Sequence, residues 1–431
     1  MTNDLRIAVA GVGTVGSGLI RLLEENADVI EGRAGRPLVV RAVSARNRGR
    51  DRGVDIDRFD WEDNPAALAR RDDIDVVVEL MGGSDGPARH LVETALQNGK
   101  PVVTANKALI AEHGAALARL ADEKGLPFAY EAAVAGGIPI IKAVREGLSA
   151  NRISRVYGIL NGTCNYILTE MRNSGRDFDD VLKDAQELGY AEADPTFDVG
   201  GVDAAHKLAI LASVCFGSEI DFAAVGIEGI QRISSVDIAY ADEFGYRIKL
   251  LGVAEWIDGQ VAQRVQPCLV RADTPIAKVE GVDNAIVTEA NHVGRTMFEG
   301  PGAGAGPTAS AVAADLVDIA RRRNTPMFGL PSRRLTAASA YPPEKRRGHY
   351  YIRLNVLDRP GVIADVSAVL RDTEISIEQM LQRADHDDGG TAPVVVITHE
   401  TTEARIMAAL QRIEALDSIV ETPHLLRIEN F

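Results

Sequence analysis

Cysteine is scarce in this chain and badly placed for cross-linking. Its three thiols, Cys164, Cys215 and Cys268, are an odd number, lie far apart and include no Cys-x-x-Cys pair, which argues against a disulfide framework and fits a reducing compartment. Long apolar runs are missing too. No stretch reaches the roughly 18 residues needed to cross a bilayer, and the opening MTNDLRIAVAGVG enters a strand without the charged-then-apolar layout of a secretory leader. A cytoplasmic protein is expected. Positive charge is in deficit, with 47 Lys and Arg against 62 Asp and Glu and a formal net charge of -15. Nucleic acid and anionic membrane both demand a basic footprint, so neither is expected as a partner, and a small molecule is. With 431 residues, 46% hydrophobic and 25% charged, the chain has the make-up of a globular protein of two or three domains.

What is present concentrates in residues 184–215, DAQELGYAEADPTFDVGGVDAAHKLAILASVC. From Asp203 onward the pattern is helical and apolar almost all round, as in a buried helix, yet it carries Lys207. The spacing of four puts Asp203 and Lys207 on one face, with the acid toward the helix N-terminus where it suits the dipole. The alternative is a surface ion pair. Upstream, Glu192, Asp194 and Asp198 lie on a turn shaped by Pro195, Gly200 and Gly201. No His or Cys accompanies them at ligand spacing, and His206 points off the Asp203/Lys207 face, so metal catalysis is not favoured. Carboxylates beside a lysine suit a small substrate bearing an ammonium group, with the lysine free to move a proton.

Residues 5–10 form a short apolar strand followed at once by Gly11-Val12-Gly13-Thr14-Val15-Gly16 and a helix predicted over 17–25. In that context GxGxxG is a dinucleotide fingerprint: one glycine for the tight turn, one for close approach of a pyrophosphate, one for helix packing. A glycine-rich structural turn is the alternative. The strand predicted over 37–45 ends at Ser44, Ala45 and Arg46, with Arg48 close behind, where an NAD-preferring site usually places Asp or Glu. A guanidinium favours a 2′-phosphate, so NADP is expected to serve at least as well as NAD, unless these arginines only decorate a solvated loop.

Strands predicted at 75–80, 101–104 and 127–131 alternate with helices at 87–98 and 109–124, the signature of a doubly wound parallel sheet. Lys107 then falls at a strand's carboxyl end, facing the cofactor crevice. Glu131 precedes a glycine-rich turn whose carbonyls are hard ligands for a hard cation, though the same residues read as a helix-entry loop with Pro139 in the first turn. After residue 147 the alternation stops. A strand at 152–160, a hairpin of 249–256 with 261–270 joined by residues 257–260, and a strand pair within 285–299 imply an α+β domain with a mixed or antiparallel sheet. GPGAGAGP at 300–307 starts a helix predicted over 308–320, its glycines allowing close approach at the nicotinamide end of a cofactor. Residues 326–348 read as a linker, and βαββαβ over 349–431 as a separate ferredoxin-like unit.

GVGTVG, VVTANKALI, EAAVAGGIPI, ILNGTCNYIL, LGYAEADPTFDVGGVDAAHKLAIL and GPGAGAGPTASAV together resemble homoserine dehydrogenase over essentially the whole chain. The tail, with Leu357 to Val362, is similar to an ACT regulatory domain, and no kinase half is expected. The resemblance implies a Rossmann NAD(P)-binding domain at 1–135, with a 305–325 helix packing back on it. It also implies a catalytic and dimerisation domain at 136–325 and an ACT domain at 349–431. The implied reaction is reversible reduction of L-aspartate 4-semialdehyde to L-homoserine, on the route to threonine, isoleucine and methionine. By the same resemblance Lys207 is the proton donor, Lys107 a second active-site lysine and Glu192 the grip on the substrate amino group. Asp198 and Asp203 orient substrate and lysine. Val12, Thr14, Val15, Gly83 and Gly304 fall at cofactor contacts, and Arg46 at the 2′-phosphate. Glu131, Val134, Gly136 and Ile138 match a monovalent-cation site, usually sodium. Threonine is the implied effector, acting through Asp358 to Val362 between the tails of a homodimer or homotetramer.

Two rivals remain. An amino-acid sensor with a degenerate body would lack the acid and lysine set. An aspartate-semialdehyde dehydrogenase needs a nucleophilic cysteine, for which Cys164 is the nearest candidate.

Overall fold

The computed structural model describes residues 4–382 and 390–431. Six strands, β1 (Leu5–Ala10), β2 (Leu38–Ser44), β3 (Asp60–Trp61), β4 (Val76–Glu79), β5 (Val102–Thr104) and β6 (Phe128–Ala129), form one parallel sheet in the order β3-β2-β1-β4-β5-β6. Helices α1 (Thr14–Glu25), α2 (Ala27–Ala34), α3 (Pro65–Leu68), α4 (Pro87–Gln97) and α5 (Lys107–Lys124) connect them. Ile7, Val9, Val76, Val77, Val78, Val102 and Val103 are wholly buried. Such continuous apolar strands need cover on both faces. Strand order reverses between β1 and β4, so the crevice at their carboxyl ends is where a dinucleotide belongs.

The next segment runs α6 (Ile140–Lys142), β7 (Ile153–Ile159), α7 (Gly162–Ser174), α8 (Phe178–Glu187), α9 (Thr196–Val199), α10 (Val202–Phe216), β8 (Gly226–Ile227), α11 (Ser235–Glu243), β9 (Tyr246–Ile257), β10 (Gln260–Arg271), β11 (Asp283–Ala290), β12 (Gly294–Pro301) and α12 (Ala305–Ala320). The tail contributes β13 (Arg347–Leu357), α13 (Val362–Asp372), β14 (Ile377–Gln382), β15 (Thr391–Thr398), β16 (Thr401–Thr402), α14 (Glu403–Glu414) and β17 (His424–Glu429). The expected βαββαβ order is there, apart from the short β16. The predicted end of its third element at Arg383 lies outside the described residues. Helix α12 returns to the parallel sheet, burying Ala309, Val312 and Leu316 in one cluster with Ile7, Val9, Leu19 and Ile20. None of the described helices is long and apolar enough to cross a membrane.

The tail has a core of its own, yet its sheet is continuous with that of the body, because β17 runs parallel to β10, with Cys268 opposite Arg427 and Val270 opposite Glu429, and the two sheets merge into one of eleven strands. Each sheet alone would leave an edge of unpaired backbone groups, and joining them removes both. Arg264 seals the seam, its Nε 3.1 Å from Glu429 and its Nη1 2.7 Å from Glu255. Nor does the linker hang free. Thr336 donates to the Gly217 carbonyl, and Val261 and Tyr341 exchange backbone bonds with Ser339 and Val261.

Smaller departures have local causes. Helices α1, α5 and α12 start two or three residues early, at Thr14, Lys107 and Ala305. Pro307 sits in the first turn of α12, where a missing N–H costs nothing. The β9/β10 hairpin closes with two residues, Asp258 (φ 49°) and Gly259 (φ 83°), instead of four. That turn matches the strand twist, so Ile257 and Gln260 stay paired. The strand predicted over 127–131 ends at Ala129, because Glu131 instead caps the start of α6.

Candidate active site

The glycine turn does what its spacing predicts. Gly11 has φ 100°, and a Cβ there would lie 2.4 Å from the Leu80 carbonyl oxygen; one on Gly16 would lie 2.1 Å from that of Gly11. Gly13 faces open space and is the N-cap of α1, with no side chain closing the helix end. The first-turn N–H groups, including those of Thr14 and Val15, therefore stand ready for an anion. Gly11, Val12 and Gly13 line a cleft of about 520 Å³ that also takes in Arg46, Arg50 and Arg52. These residues fit a dinucleotide. Arg48, named in the sequence, turns away to Asp57 (3.0 Å) and lies over Trp61. Arg52 spends its donors on loop carbonyls, whereas Arg46 and Arg50 form no ion pair among the described residues.

Buried Glu79 orders the far wall. It accepts the N–H groups of Met81 (2.7 Å) and Gly82 (3.2 Å) and the Thr104 hydroxyl (2.7 Å). The neighbouring Gly83 carbonyl accepts from Asn106 Nδ2 at 2.7 Å, and the Asn106 Oδ1 caps α5. Lys107 is the first residue of that helix, so the loop that walls the cleft also aims the lysine.

Lys107 Nζ reaches Asp203 Oδ1 at 2.8 Å, and Lys207 Nζ reaches Asp203 Oδ2 at 2.8 Å and the Leu160 carbonyl at 2.7 Å. The Asp203 and Lys207 side chains are 5% and 10% exposed, which removes the surface-pair reading; Lys107 is 33% exposed. Burial alone would raise Asp203, but the two ammonium groups outweigh it and hold the carboxyl well below the usual range. Burial lowers Lys107, but Asp203, Asp198 and Glu192 more than compensate and keep it charged. Asp198 is pushed up by burial and by Asp203. Glu192 is exposed at the rim, its carboxylate without hydrogen bond or ion pair among the described residues. Asp194 only caps the turn at Thr196.

Glu131 is buried, accepts the N–H groups of Ile141 (2.9 Å) and Lys142 (2.8 Å), and is pushed up to about 7 by burial and by Asp315. Its loop passes through Val134, Ala135 (φ 52°), Gly136 and Ile138. A buried carboxylate is a hard oxygen donor of the kind a monovalent cation takes. The glycines of 300–307 serve packing as much as ligand approach. A Cβ on Gly302 would overlap Asn284 Nδ2, one on Gly137 would lie 2.7 Å from the Pro301 oxygen, and Gly304 is the N-cap of α12.

Residues 11–131 match the family described as homoserine dehydrogenase, NAD binding domain, residues 139–317 that described as homoserine dehydrogenase, and residues 350–415 the ACT domain. A homoserine dehydrogenase of Pseudomonas aeruginosa is 47% identical over 99% of both chains, and one of Neisseria gonorrhoeae is 44% identical over 99% of both. The chain belongs to the homoserine dehydrogenase family. The crystal structure of a homoserine dehydrogenase from Thiobacillus denitrificans superposes with a TM-score of 0.93 at 44% identity, covering 99% of this chain and 98% of that one. A hyperthermophilic archaeal member, described in complex with NADPH, gives 0.63 at 27% identity over 74% of this chain and 98% of its own. The protein is thus an NAD(P)-dependent oxidoreductase of that activity, carrying an ACT domain.

Family membership and geometry both close the rivals. The acid and lysine set is intact, against a degenerate sensor. Cys164 is buried, its thiol is held far above the usual range by burial and by Asp198, and it donates to the Asp198 carbonyl, so it is no nucleophile. His206 lies between Phe197 and Phe222, its pKa lowered by burial and by the nearby Lys107. Sequence reasoning missed the Leu160 carbonyl, Glu79 and Asn161, which meet partners far along the chain, and Arg50, which lines the cleft. Only Asn161 left a trace, as an Asn-Gly step between a strand and a helix.

Proposed function

We propose that the chain reduces L-aspartate 4-semialdehyde to L-homoserine reversibly, on the route to threonine, isoleucine and methionine, with Lys207 as proton donor. The observation that carries this is one buried carboxylate, Asp203, held between Lys107 and Lys207, with Lys107 opening the helix whose cap, Asn106, binds the Gly83 carbonyl. A bound reduced nicotinamide supplies the hydride. As hydride reaches the aldehyde carbon, negative charge builds on its oxygen. Lys207, paired with Asp203 and aimed by the Leu160 carbonyl, stabilises that charge and gives up one proton. Lys107 shares the carboxylate and adds positive charge facing the crevice. Glu192, with Asp198, takes the substrate ammonium group. Oxidation of NADPH by aspartate semialdehyde, followed and then repeated with NADH, tests the assignment.

Val12, Thr14, Val15, Gly83 and Gly304 are the cofactor contacts in this reading, and the NADPH complex of the archaeal relative supports the cofactor class. Arg46 takes the 2′-phosphate. In Arg46→Ala the KM for NADPH is expected to rise more than that for NADH, while equal rises would remove the role.

A monovalent cation, sodium in the first instance, belongs at Glu131 with Val134, Gly136 and Ile138. Because burial lifts Glu131 from 4.5 to about 7, ionising it in the folded state costs stability as pH rises across that interval. A cation offsets the cost. Sodium, against choline at equal ionic strength, is therefore expected to raise the unfolding temperature more at pH 8 than at pH 5, and equal gains would exclude a cation there.

The Asp358 to Val362 turn, with Gly361 as N-cap of α13, is the effector site, threonine acting between tails of a homodimer or homotetramer. Deleting the tail would bare the edge of β10, so a point variant is the better test. Asp358→Ala should lose threonine inhibition; inhibition equal to wild type rules the turn out.

A further inference from the structure

Asn161 stands at the junction of β7 and α7, 4% exposed, with every polar atom of its side chain engaged. One Nδ2 hydrogen goes to Asp198 Oδ1 at 2.8 Å and the other to Asp203 Oδ2 at 2.9 Å, while Oδ1 accepts the Cys164 N–H at 2.8 Å as the cap of α7. The orientation is fixed by chemistry. Turning the amide over would set its oxygen against two carboxylates and its NH2 against an N–H donor. The two acids are five residues apart, both crowded into the same site, and each disfavours the other's charge. The amide is the neutral group between them.

We propose that Asn161 is a positioning residue for the reaction, its side-chain amide spacing Asp198 from Asp203 so that Asp203 can bridge Lys107 and Lys207. The preceding residue, Leu160, supplies the carbonyl that receives Lys207, so one strand end orients both partners of the ion pair. Helix α7 does not depend on this contact alone. One turn on, Asn165 donates to the carbonyls of Val279 and Gly281 and accepts from buried Lys249, which anchors the helix from its other side.

The inference rests on the assignment of Asp203 and Lys207 to the reaction. Two variants separate positioning from capping. Asn161→Ser keeps an oxygen able to cap α7 but removes the bridging NH2, and Asn161→Asp keeps the shape and the cap while replacing the bridge by a third carboxylate. Both are expected to lose kcat by about a hundredfold, the scale for a displaced catalytic group, with NADPH binding unchanged. The acid limb of the kcat/KM profile should move up by roughly one pH unit in Asn161→Ser, since two or three such bonds move a carboxylate by about two. The groups facing the amide are Asp198, Asp203, Lys107, Lys207 and Cys164, and only Asp198 loses its one side-chain donor among the described residues. A fall in unfolding midpoint with wild-type kcat and pH profile, in either variant, would make Asn161 a helix cap alone and overturn the proposal. Should the lysine assignment itself be wrong, Lys207→Ala would also keep its activity, whereas failure of the bridge alone leaves Lys207→Ala inactive beside a wild-type Asn161→Ser.

Discussion

Lys207→Ala is expected to lose two to four orders of magnitude in kcat, roughly the worth of a positioned general acid, while its dissociation constant for NADPH hardly changes. The amine is one helical turn from Asp203 and contacts the Leu160 carbonyl, both in the second domain, and it does not line the cleft beneath the glycine turn. Removing it leaves Asp203 paired with Lys107 at 2.8 Å, so no buried charge is orphaned and the fold should survive. Lys207→Arg is a useful companion, because a guanidinium restores charge but holds its proton too tightly to give it up near neutral pH. Steady-state kinetics beside direct NADPH titration would check this. A parallel loss of NADPH affinity would move Lys207 from proton transfer to cofactor binding.

The largest effect on stability is expected at Asp237, far from the chemistry. Its carboxylate is fully buried where α11 meets the tail, and it accepts the Tyr351 hydroxyl (3.0 Å), Arg353 Nε (2.8 Å) and the Ser234 hydroxyl (2.7 Å), with His424 Nδ1 at 3.1 Å. Burial would raise it, but His424, Arg353 and Ser234 outweigh burial and hold it well below the usual carboxylate range. Asp237→Ala leaves the buried Tyr351 hydroxyl and His424 without their carboxylate, while Arg353 keeps Glu421 at 2.8 Å, a cost of about 1 to 3 kcal/mol for the unsatisfied buried groups. Because the folded group has a depressed pKa, its contribution is present above about pH 4 and is lost as pH falls below it. Urea unfolding should show a wide gap between wild type and variant at pH 6 that narrows toward pH 3. A constant gap across that range would mean that packing, not the charge, holds the tail to the body.

Much of the site was legible because its signals are local. GxGxxG between a strand and a helix, a lysine four residues after an acid on an apolar helix, and a lysine at a strand's end each carry their geometry within a few residues. Arg48 was not separable from Arg46 in the sequence because a loop's arginines differ only in which tertiary partner they meet, here Asp57. Asn161 was missed because, although it caps α7, its two carboxylate partners lie 37 and 42 residues away. The tail looked separate since nothing in residues 424–429 announces that they will pair with residues 268–270.

What the amino-acid order alone determined is the set of elements and the placing of charge on them, because periodicity, glycine position and i,i+4 spacing act over one or two turns of chain. Which carboxylate bridges which lysines, which arginines face the cleft, and whether two sheets become one were decided only by tertiary structure. Those outcomes depend on long-range approach and on burial, which turns weak surface attractions into strong and selective ones.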